Sequence, residues 1–478
     1  MSANPQSSLV SAVRERFGAK AAITDEGDIA PWLTDWRGRF HGRAAAILAP
    51  ASTAEVQAIV AMAAAAGVPL VPQGGNTSMV GGATPPADGS ALILSLRRMN
   101  RVRSISADDN VAVADAGVIL ADLHGHSLAV GKRFPLTLGA RGSATIGGLV
   151  ATNAGGTQVL RFGTMRSLVV GLEAVFPDGS LHDGLSGLKK DNRGYSIDQL
   201  LVGSEGTLGI LTAAALKLVP AITGRAVAWV GLDSPQAALG LLRFLEARTN
   251  RIEGFELVAG DALRLVLKHI PGTRAPLAGE HRWQVLVEAT ADEPGDDPRA
   301  LLESLLADAL TGKLCSDAMV AASESQADAL WRIRDSLSEA ERAEGLTIAY
   351  DVSVPVADMP RFIVEASAEV ERAMPGTTAS AFGHLGDGNV HFHVRAPAGA
   401  AADWYERDGH RATRLVDDLV TAFGGSISAE HGIGQMKIDE LERLASPARL
   451  HALRAIKQAL DPQGLMNPGK LVRPAKED

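Results

Sequence analysis

The sequence has little of what disulfide cross-links, metal–sulfur clusters and nucleic-acid binding require. Its 478 residues include one cysteine, Cys315, which excludes internal disulfide bonds and cysteine-rich zinc or iron–sulfur sites. The formal net charge is −9, and the basic residues are interspersed among acidic ones, which argues against a nucleic-acid platform with a basic face. The absence of disulfides fits a reducing compartment, and we expect a cytoplasmic protein.

Long apolar runs are also scarce. The N-terminal stretch MSANPQSSLVSAVRERF has no continuous apolar core of the kind that a secretory signal needs. The longest apolar segment, VQAIVAMAAAAGVPLV, is mostly alanine and is interrupted by Gly67 and Pro69. It therefore predicts a short helix followed by a strand rather than a membrane span, while peripheral contact with the inner membrane stays open.

The length of the chain predicts two or three domains, because 478 residues are too many for one core. In the first half, short β patterns such as ALILSL alternate with glycine-rich loops, and helices are expected near residues 53–66 and 119–130. After Pro220 the glycine loops thin out and longer helices, among them one over residues 325–344, mix with fewer strands. This order predicts an antiparallel sheet with helices on one face.

The first half contains three glycine-rich loops, VPQGGNTSMVGGATPP, TLGARGSATIGGLVATNAGGTQVLRFG and GSEGTLG. Backbone amides in such loops suit phosphate groups, because no side chain obstructs them. The spacing does not match G-x-G-x-x-G after a strand, and no G-x-x-x-x-G-K-[ST] occurs, which disfavours Rossmann and P-loop sites. Together the loops predict a long ligand such as a dinucleotide, although any single loop is equally consistent with a tight turn between buried strands.

The stretch FGHLGDGNVHFHV, residues 382–394, places histidines around turn residues. Its Asp-Gly pair predicts a two-residue type I′ hairpin turn. In that register His384 and His391 face each other on one side of the hairpin, with Cβ atoms roughly 4.5–5.5 Å apart, a spacing that suits one metal ion. His393 returns to the same face two residues later. Taken alone, such a pair across a hairpin is more often explained by packing or by a surface coincidence.

A third ligand is available in SISAEHGIGQMK, where Glu430 follows a predicted strand. One carboxylate with two imidazoles, leaving open positions, fits catalytic Zn²⁺ or Mn²⁺. His431 is expected to point away from Glu430, because successive side chains on an extended segment diverge, and is free to act as a general base. A hydrogen-bonded core histidine is the alternative. Asn389 is expected to serve the turn, and a hydrogen bond from it to a ligating histidine stays open as a second role.

Five runs, taken in order from Pro72 to Gly434, carry a resemblance to a known family: PQGGNTSMVGG, GARGSATIGGLVATNAGG, DNRGYSIDQLLVGSEGTLGI, FGHLGDGNVHFHV and SAEHGIG. They resemble the FAD-linked D-2-hydroxyacid dehydrogenases of the vanillyl-alcohol-oxidase-like flavoproteins, with most similarity to the D-2-hydroxyglutarate dehydrogenase subgroup. The resemblance covers nearly the whole chain and implies an α+β fold. It implies a two-subdomain FAD-binding domain of the vanillyl-alcohol-oxidase type (residues 1–220), a C-terminal α+β substrate domain with an antiparallel sheet that caps the flavin (221–425), and a C-terminal helical segment that returns to the flavin (426–478).

The resemblance also implies which residues hold FAD. Those around the pyrophosphate and ribityl chain are Pro72, Gly74, Gly75, Asn76, Thr77 and Gly82. Those on the other side are Ser143, Thr145, Gly147, Gly148, Asn153 and Gly155, with Gly209 and Ile210 near the adenine half and Asn467 reaching the flavin from the C-terminus. Covalently flavinylated relatives carry a histidine after the paired glycines, so Asn76 implies noncovalent FAD.

For the substrate, the resemblance implies that Arg334 binds the carboxylate, and that Ser338, one helical turn later, lies on the same face. A solvated charged helix is the alternative for ALWRIRDSLSEAERAEG. The same motif positions supply His384, His391 and Glu430 to the metal and His431 as the base. Two positions depart from the hydroxyglutarate pattern. Ala349 stands where that subgroup has a substrate-binding lysine, and His393, which is expected to contact substrate, replaces asparagine.

The implied reaction is oxidation of a D-2-hydroxy acid, D-2-hydroxyglutarate or a dicarboxylate such as D-malate, with hydride transfer to flavin N5 and electrons passing to an electron-transfer flavoprotein or quinone. D-Lactate and glycolate stay open as substrates, as does a homodimer. Two other functions compete. A metal-dependent hydrolase would also use glycine loops and a His/His/Glu site, but no G-x-S-x-G or H-E-x-x-H motif supports it. A nonenzymatic flavin-binding subunit would not need the His/His/Glu/His set.

Overall fold

A computed structural model of the protein describes residues 4–188 and 190–474. The chain packs as two compact units. The first comprises the residues up to Gly156, Gly163–Ala221 and the residues from Glu430 onward, and the second comprises Thr157–Phe162 and Ile222–Ala429. These units are defined by packing alone, and the functional boundaries at residues 220 and 425 stay a prediction.

The strands of the described residues are short in the first unit and longer in the second. In chain order they are β1 Ala22–Ile23, β2 Ile47–Leu48, β3 Leu70–Gln73, β4 Leu92–Ser95, β5 Val102–Ser106, β6 Val111–Asp115, β7 Lys132–Arg133, β8 Val169–Val175, β9 Leu181–Asp183, β10 Ile210–Lys217, β11 Val219–Pro220, β12 Gly224–Leu232, β13 Ile252–Ala259, β14 Trp283–Ala291, β15 Asp317–Val320, β16 Thr347–Ser353, β17 Thr378–His384 and β18 Asn389–Arg395.

The helices include several of a single turn. In chain order they are α1 Pro5–Phe17, α2 Glu26–Ile29, α3 Thr53–Ala66, α4 Leu120–Leu128, α5 Ile146–Ala151, α6 Val159–Phe162, α7 Met165–Leu168, α8 Ile197–Leu201, α9 Pro235–Glu246, α10 Gly260–His269, α11 Pro298–Thr311, α12 Glu324–Asp335, α13 Leu337–Glu344, α14 Met359–Ala373, α15 His410–Ala422, α16 Ile438–Leu444 and α17 Pro447–Leu460. Two 3₁₀ turns, Ala19–Ala21 and Ala30–Trp32, and a π-helical turn, Tyr405–Gly409, complete the set. Every helix in the described ranges is too short or too polar to span a bilayer.

The first unit contains two principal sheets. One has the strand order β1-β2-β4-β3, with β2, β4 and β3 parallel, and the other is antiparallel with the order β5-β6-β10-β8-β9. The start of helix α3 is fixed by two side-chain bonds that resemble a capping box: Ser52 at the N-cap accepts the N–H of Glu55, and the Glu55 carboxylate accepts the N–H of Ala51, one residue before the N-cap. It ends at Gly67, which has φ +63°. The first glycine loop follows the end of β3.

The second unit is built on a seven-stranded sheet with the order β15-β12-β14-β13-β17-β18-β16, in which all neighbouring strands are antiparallel. Helix α14 covers one face, since the ring of Phe362 lies 5.9 Å from that of Phe392. The prediction that helices cover one face only is wrong. Helix α12 lies on the opposite face. Its Arg334 bonds to Glu256 of β13, and Glu256 pairs with His384, which points to the face opposite to that of Phe392.

Candidate active site

The hairpin β17–β18 carries the histidines in a register that differs from the predicted one. His384 pairs with Asn389 and His391 pairs with Phe382, so residues 385–388 form a four-residue loop. The predicted type I′ turn is wrong, because Gly388 has φ +81° while Asp387 keeps a negative φ. The register differs by two residues, which preserves the face on which each side chain lies. The two imidazole rings therefore still meet, with centroids 5.4 Å apart.

A carboxylate lies next to this imidazole pair. The potential ligand atoms of His384, His391 and Glu430 all lie within 4.8 Å of one another. Glu430 is held there through the chain, because it directly follows Ala429, whose N–H donates to the carbonyl of Asp351 at 3.3 Å. Two imidazoles and a carboxylate form a donor set that fits Zn²⁺ or Mn²⁺.

The segment around Glu430 differs from its prediction in two respects. The strand expected before it is reduced to a single bridge between Ser426 and Ser353. The expected divergence of Glu430 and His431 is also wrong, because potential ligand atoms of Asp351, Glu430 and His431 form a second group within 4.8 Å. The reason is that the chain bends here and is not extended, with Gly432 at φ +83°. His431 thus lies close enough to serve either as a base or as a ligand.

A buried carboxylate orients His384. Glu256 accepts from Nδ1 of His384 at 2.6 Å and from Nε of Arg334 at 2.8 Å. Burial disfavours the charged form of Glu256, but the charges of Arg334 and His384 outweigh that effect and lower its pKa to about 2. An imidazole that donates from Nδ1 presents Nε2 to a metal, the usual arrangement around histidine ligands.

Sequence reasoning missed Glu256. The available signal was two acidic residues, Glu253 and Glu256, inside the otherwise apolar strand IEGFELVA, but nothing in the sequence connects Glu256 to a histidine 128 residues away.

The other imidazole is accompanied by Asp351. Nδ1 of His391 lies 4.0 Å from Oδ1 of Asp351, which also accepts from Nδ2 of Asn389 at 2.9 Å. The predicted bond from Asn389 to a ligating histidine is therefore wrong, because β16 interposes an acceptor beside it. Asn389 also donates to the carbonyl of Val352 and so fixes the start of β18 against β16.

The predicted substrate residues Arg334, Ser338 and His393 all belong to the second unit. His393 is buried, with Ala349 opposite it in β16 and Ser380 opposite it in β17. Arg334 is ion-paired with Glu256, and its Nη2 lies 3.1 Å from Nε2 of His384.

The continuous helix predicted over residues 325–344 is wrong. It is interrupted at Ser336, so Arg334 lies in the last turn of α12 and Ser338 lies in the first turn of α13. The shared helical face expected for these two residues does not apply across that interruption.

The first two glycine loops pack against each other so closely that side chains are excluded. A Cβ atom at Gly74 would lie 2.1 Å from Oγ1 of Thr145, and one at Gly75 would lie 1.9 Å from the carbonyl oxygen of Ser143. Within the described chain, the N–H groups of residues 74–78 donate to no protein acceptor, and Asn76 has φ +53°. Consecutive unobstructed amides of this kind fit a pyrophosphate.

Other predicted cofactor residues shape the same unit. Oγ1 of Thr145 and Oδ1 of Asn467 are buried without a hydrogen-bond partner among the described residues, whereas Nδ2 of Asn467 donates to the carbonyls of Gly82 and Glu205. Several of the predicted cofactor residues make packing contacts within the protein: Pro72 contacts Gly206, Gly147 contacts Ala116, Gly209 lies beside Val175, and Ile210 is in the core. Asn153 accepts the backbone N–H of Arg166 with its side chain. The unpartnered polar atoms and the free amides fit FAD.

Comparison with known proteins identifies the family of the chain. Residues 44–184 match the family described as FAD binding domain, and residues 223–471 match the family described as FAD linked oxidases, C-terminal domain. The chain is 35% identical to the mitochondrial D-2-hydroxyglutarate dehydrogenase of Arabidopsis thaliana, with 97% of this chain and 81% of the relative covered. It is 36% identical to a D-2-hydroxyglutarate dehydrogenase of Xanthomonas citri pv. viticola, with 94% and 93% covered.

The chain belongs to the FAD-linked D-2-hydroxyacid dehydrogenase family. It is an FAD-dependent oxidoreductase that acts on CH–OH donors, as predicted. Solved structures with the same fold include p-cresol methylhydroxylase, with a TM-score of 0.74 at 14% identity over 98% of this chain and 97% of the other. Alkyldihydroxyacetonephosphate synthase gives a TM-score of 0.73 at 17% identity, with 96% and 86% covered. The predicted α+β fold with an FAD-binding domain of the vanillyl-alcohol-oxidase type is confirmed.

Proposed function

We propose that this member of the family oxidises a D-2-hydroxy acid, D-2-hydroxyglutarate or a dicarboxylate such as D-malate, to the 2-oxo acid, and that it requires Zn²⁺ or Mn²⁺. The observation that carries the proposal is the cluster of His384, His391 and Glu430, with Glu256 bonded to the first of them. When bound, FAD accepts a hydride at N5, and a divalent ion lowers the pKa of the substrate hydroxyl.

Each protein group has a defined part in this proposal. Glu256 fixes the ring of His384 through the bond to Nδ1. His431 takes the proton of the substrate hydroxyl as a general base. Arg334 offers its guanidinium to the substrate carboxylate, and its pairing with Glu256 holds that guanidinium at the same site. Ser338 and His393 complete the substrate contacts.

A monocarboxylate such as D-lactate or glycolate is the second candidate. Ala349, opposite His393, brings no charge to this part of the sheet, and the nearby Arg395 is ion-paired with buried Glu341 at 2.9 Å. A second substrate carboxylate would therefore have to compete with Glu341 for its cation. A relative from Schizosaccharomyces pombe, 34% identical, is described as a putative D-lactate dehydrogenase.

The proposal includes three further expectations about partners and place. Electrons would pass from reduced FAD to an electron-transfer flavoprotein or a quinone, the FAD is noncovalent, and the protein lies in the cytoplasm or at the periphery of the inner membrane; a homodimer stays open. A flavin released by acid or heat would establish the noncovalent link.

The central experiment is anaerobic flavin reduction. Purified holoprotein should bleach near 450 nm with one or more of D-2-hydroxyglutarate, D-malate, D-lactate and glycolate, and L-enantiomers should leave it yellow. Chelation should slow bleaching, and added Zn²⁺ or Mn²⁺ should restore it. Loss of the metal ligand in His391→Ala should slow reduction at least about 100-fold.

The matched control for that variant is His410→Ala, which removes an exposed histidine of α15 and should reduce at the wild-type rate. Unchanged bleaching after chelation and in His391→Ala would remove the ion from the reaction. A protein that no D-2-hydroxy acid bleaches would overturn the proposed function itself.

A further inference from the structure

We propose that Glu205 is a positioning residue that fixes the segment carrying Glu430 and His431, an inference that rests on the roles proposed above for those two residues. Glu205 lies in the third glycine loop, and its carboxylate is buried within the first unit. Its action on Glu430 and His431 is indirect. Its effect passes through the backbone that immediately follows them.

The Glu205 carboxylate accepts two hydrogen bonds from that backbone. Oε1 accepts the N–H of Ile433 and Oε2 accepts the N–H of Gly434, both at 2.7 Å. The chain wraps the carboxylate so tightly that a Cβ atom at Gly432 would lie 2.8 Å from Oε1. Two charge-assisted bonds to adjacent amides fix both the position and the orientation of a bend, and His431 is the residue directly before that bend.

The backbone at Glu205 supports a role for its side chain. Glu205 has φ +52° and stands between Gly203 at φ +78° and Gly206 at φ +69°. Glycine adopts this conformation at no steric cost, whereas a residue with a Cβ atom is strained there. A glutamate at a strained position between glycines is explained if its carboxylate does something that glycine cannot.

Glu205 also connects the segment to the predicted cofactor loops. Its carbonyl accepts from Nδ2 of Asn467, which donates as well to the carbonyl of Gly82. Burial raises the pKa of Glu205, whereas its two N–H donors and the charges of Lys437 and Lys470 stabilise the carboxylate. Glu205 thus holds the bend after His431 with its side chain. Its main-chain carbonyl, through Asn467, connects it to the first glycine loop and the C-terminal segment within the first unit.

The test replaces the carboxylate without changing its size. In Glu205→Gln the amide group can accept one N–H but turns its NH₂ toward the other donor. In the holoprotein we expect faster hydrogen exchange in the peptide covering residues 431–436, and about 10-fold weaker binding of Zn²⁺ by the chelator-treated holoprotein. Flavin reduction per bound FAD should slow, with FAD content unchanged. Glu205→Asp, which keeps the charge, should give intermediate values and is the measured variant if the glutamine protein does not fold.

The matched control is Glu173→Gln, which removes another buried carboxylate of the first unit, one bonded to Thr53, Thr212 and Arg103. It should lower thermal stability but leave local exchange, Zn²⁺ affinity and reduction rate per FAD at wild-type values. Wild-type values in Glu205→Gln, or equal changes in both variants, would overturn the positioning role. A wild-type protein that no hydroxy acid reduces would instead refute the proposed function, while exchange and Zn²⁺ affinity would still report on Glu205.

Discussion

Buried charged residues define the site at the scale of single side chains. Glu256 lies in a strand between apolar neighbours and is stabilised there by Arg334 and His384. Glu341 is buried beside Arg395. A buried carboxylate that keeps its charge requires such partners, because desolvation alone would neutralise it. Each of these pairs fixes a group next to the proposed substrate region.

The pairing of Glu256 predicts a dependence of stability on pH. Its folded-state pKa of about 2 lies below the ordinary value of 4.5, so its stabilisation is fully present above pH 4.5 and is lost as pH falls toward 2. The loss amounts to on the order of 3 kcal/mol. Glu256→Gln should be less stable than wild type at pH 7 and should show a flatter decline of unfolding free energy between pH 4.5 and pH 2.

Glu341→Gln serves as the contrasting variant. Burial raises the pKa of Glu341 above its ordinary value, so its contribution is present at low pH and is lost as pH rises through the folded-state pKa. The unfolding free energy of Glu341→Gln, relative to that of wild type, should therefore rise as pH increases toward neutral. If denaturation curves of both variants had the same pH dependence as wild type, the two assigned shifts would be refuted.

Ala349 offers a test of substrate choice. A lysine at this position would stand opposite His393 in the ladder and bring a cation that is not already paired with Glu341. A hydrogen bond to a charged group is worth about 1.5–3 kcal/mol. Ala349→Lys should therefore raise kcat/KM for D-2-hydroxyglutarate relative to D-lactate about 10-fold or more. Ala349→Met supplies similar bulk without charge and should leave this ratio of kcat/KM values unchanged. An equal change of the ratio in Ala349→Lys and Ala349→Met would show that side-chain size causes the effect.

At the scale of elements, the hairpin β17–β18 depends on its loop. Gly388 has φ +81°, and a Cβ atom there would lie 2.1 Å from the carbonyl oxygen of Val354. The loop is thus closed by a backbone contact with the chain after β16, which no two-residue turn would make. The histidine pair keeps its common face because this contact sets a register that differs from the predicted one by an even number of residues.

Gly388→Ala is expected to disturb that register. Both the positive φ and the contact with Val354 oppose a side chain, so the unfolding free energy should fall by more than the roughly 1 kcal/mol that left-handed backbone alone costs. Gly399→Ala isolates the backbone term, because Gly399 has φ +76° with open space around it. Equal denaturation midpoints for the two variants would show that the contact is unimportant.

At the scale of the whole molecule, the chain does not fold as consecutive blocks. Residues Thr157–Phe162, from within the first half, pack with the second unit. Arg161 in this segment pairs with buried Glu253 at 2.6 Å and donates to Thr290. Leu160 lies where a Cβ atom on Gly386 would come within 2.5 Å. The stability of the second unit therefore depends on a segment far from it in sequence.

Arg161→Ala should reveal this dependence. The substitution leaves Glu253 with less compensation in a buried position, and removing one partner of a buried ion pair typically costs about 3–5 kcal/mol. Glu253→Gln added to it should recover part of the loss, because the uncompensated charge disappears. Urea denaturation followed by tryptophan fluorescence would measure both. A double variant less stable than Arg161→Ala would contradict the assignment.

The sequence by itself determined features that rest on local chemistry. Helix α3 has its predicted bounds because Ser52 and Gly67 supply both caps within the segment. The family, the FAD dependence and the predicted common face of His384 and His391 were likewise accessible, since ordered motifs and the two-residue period of a strand lie in the sequence itself.

Only the tertiary structure decided the register of the hairpin, the break at Ser336, the bend after Glu430 and the pairing of Glu256 with Arg334 and His384. These features depend on contacts between residues far apart in the chain, or on a backbone contact that closes a loop. Their energies exist only once the strands have paired, so local patterns carry no record of them.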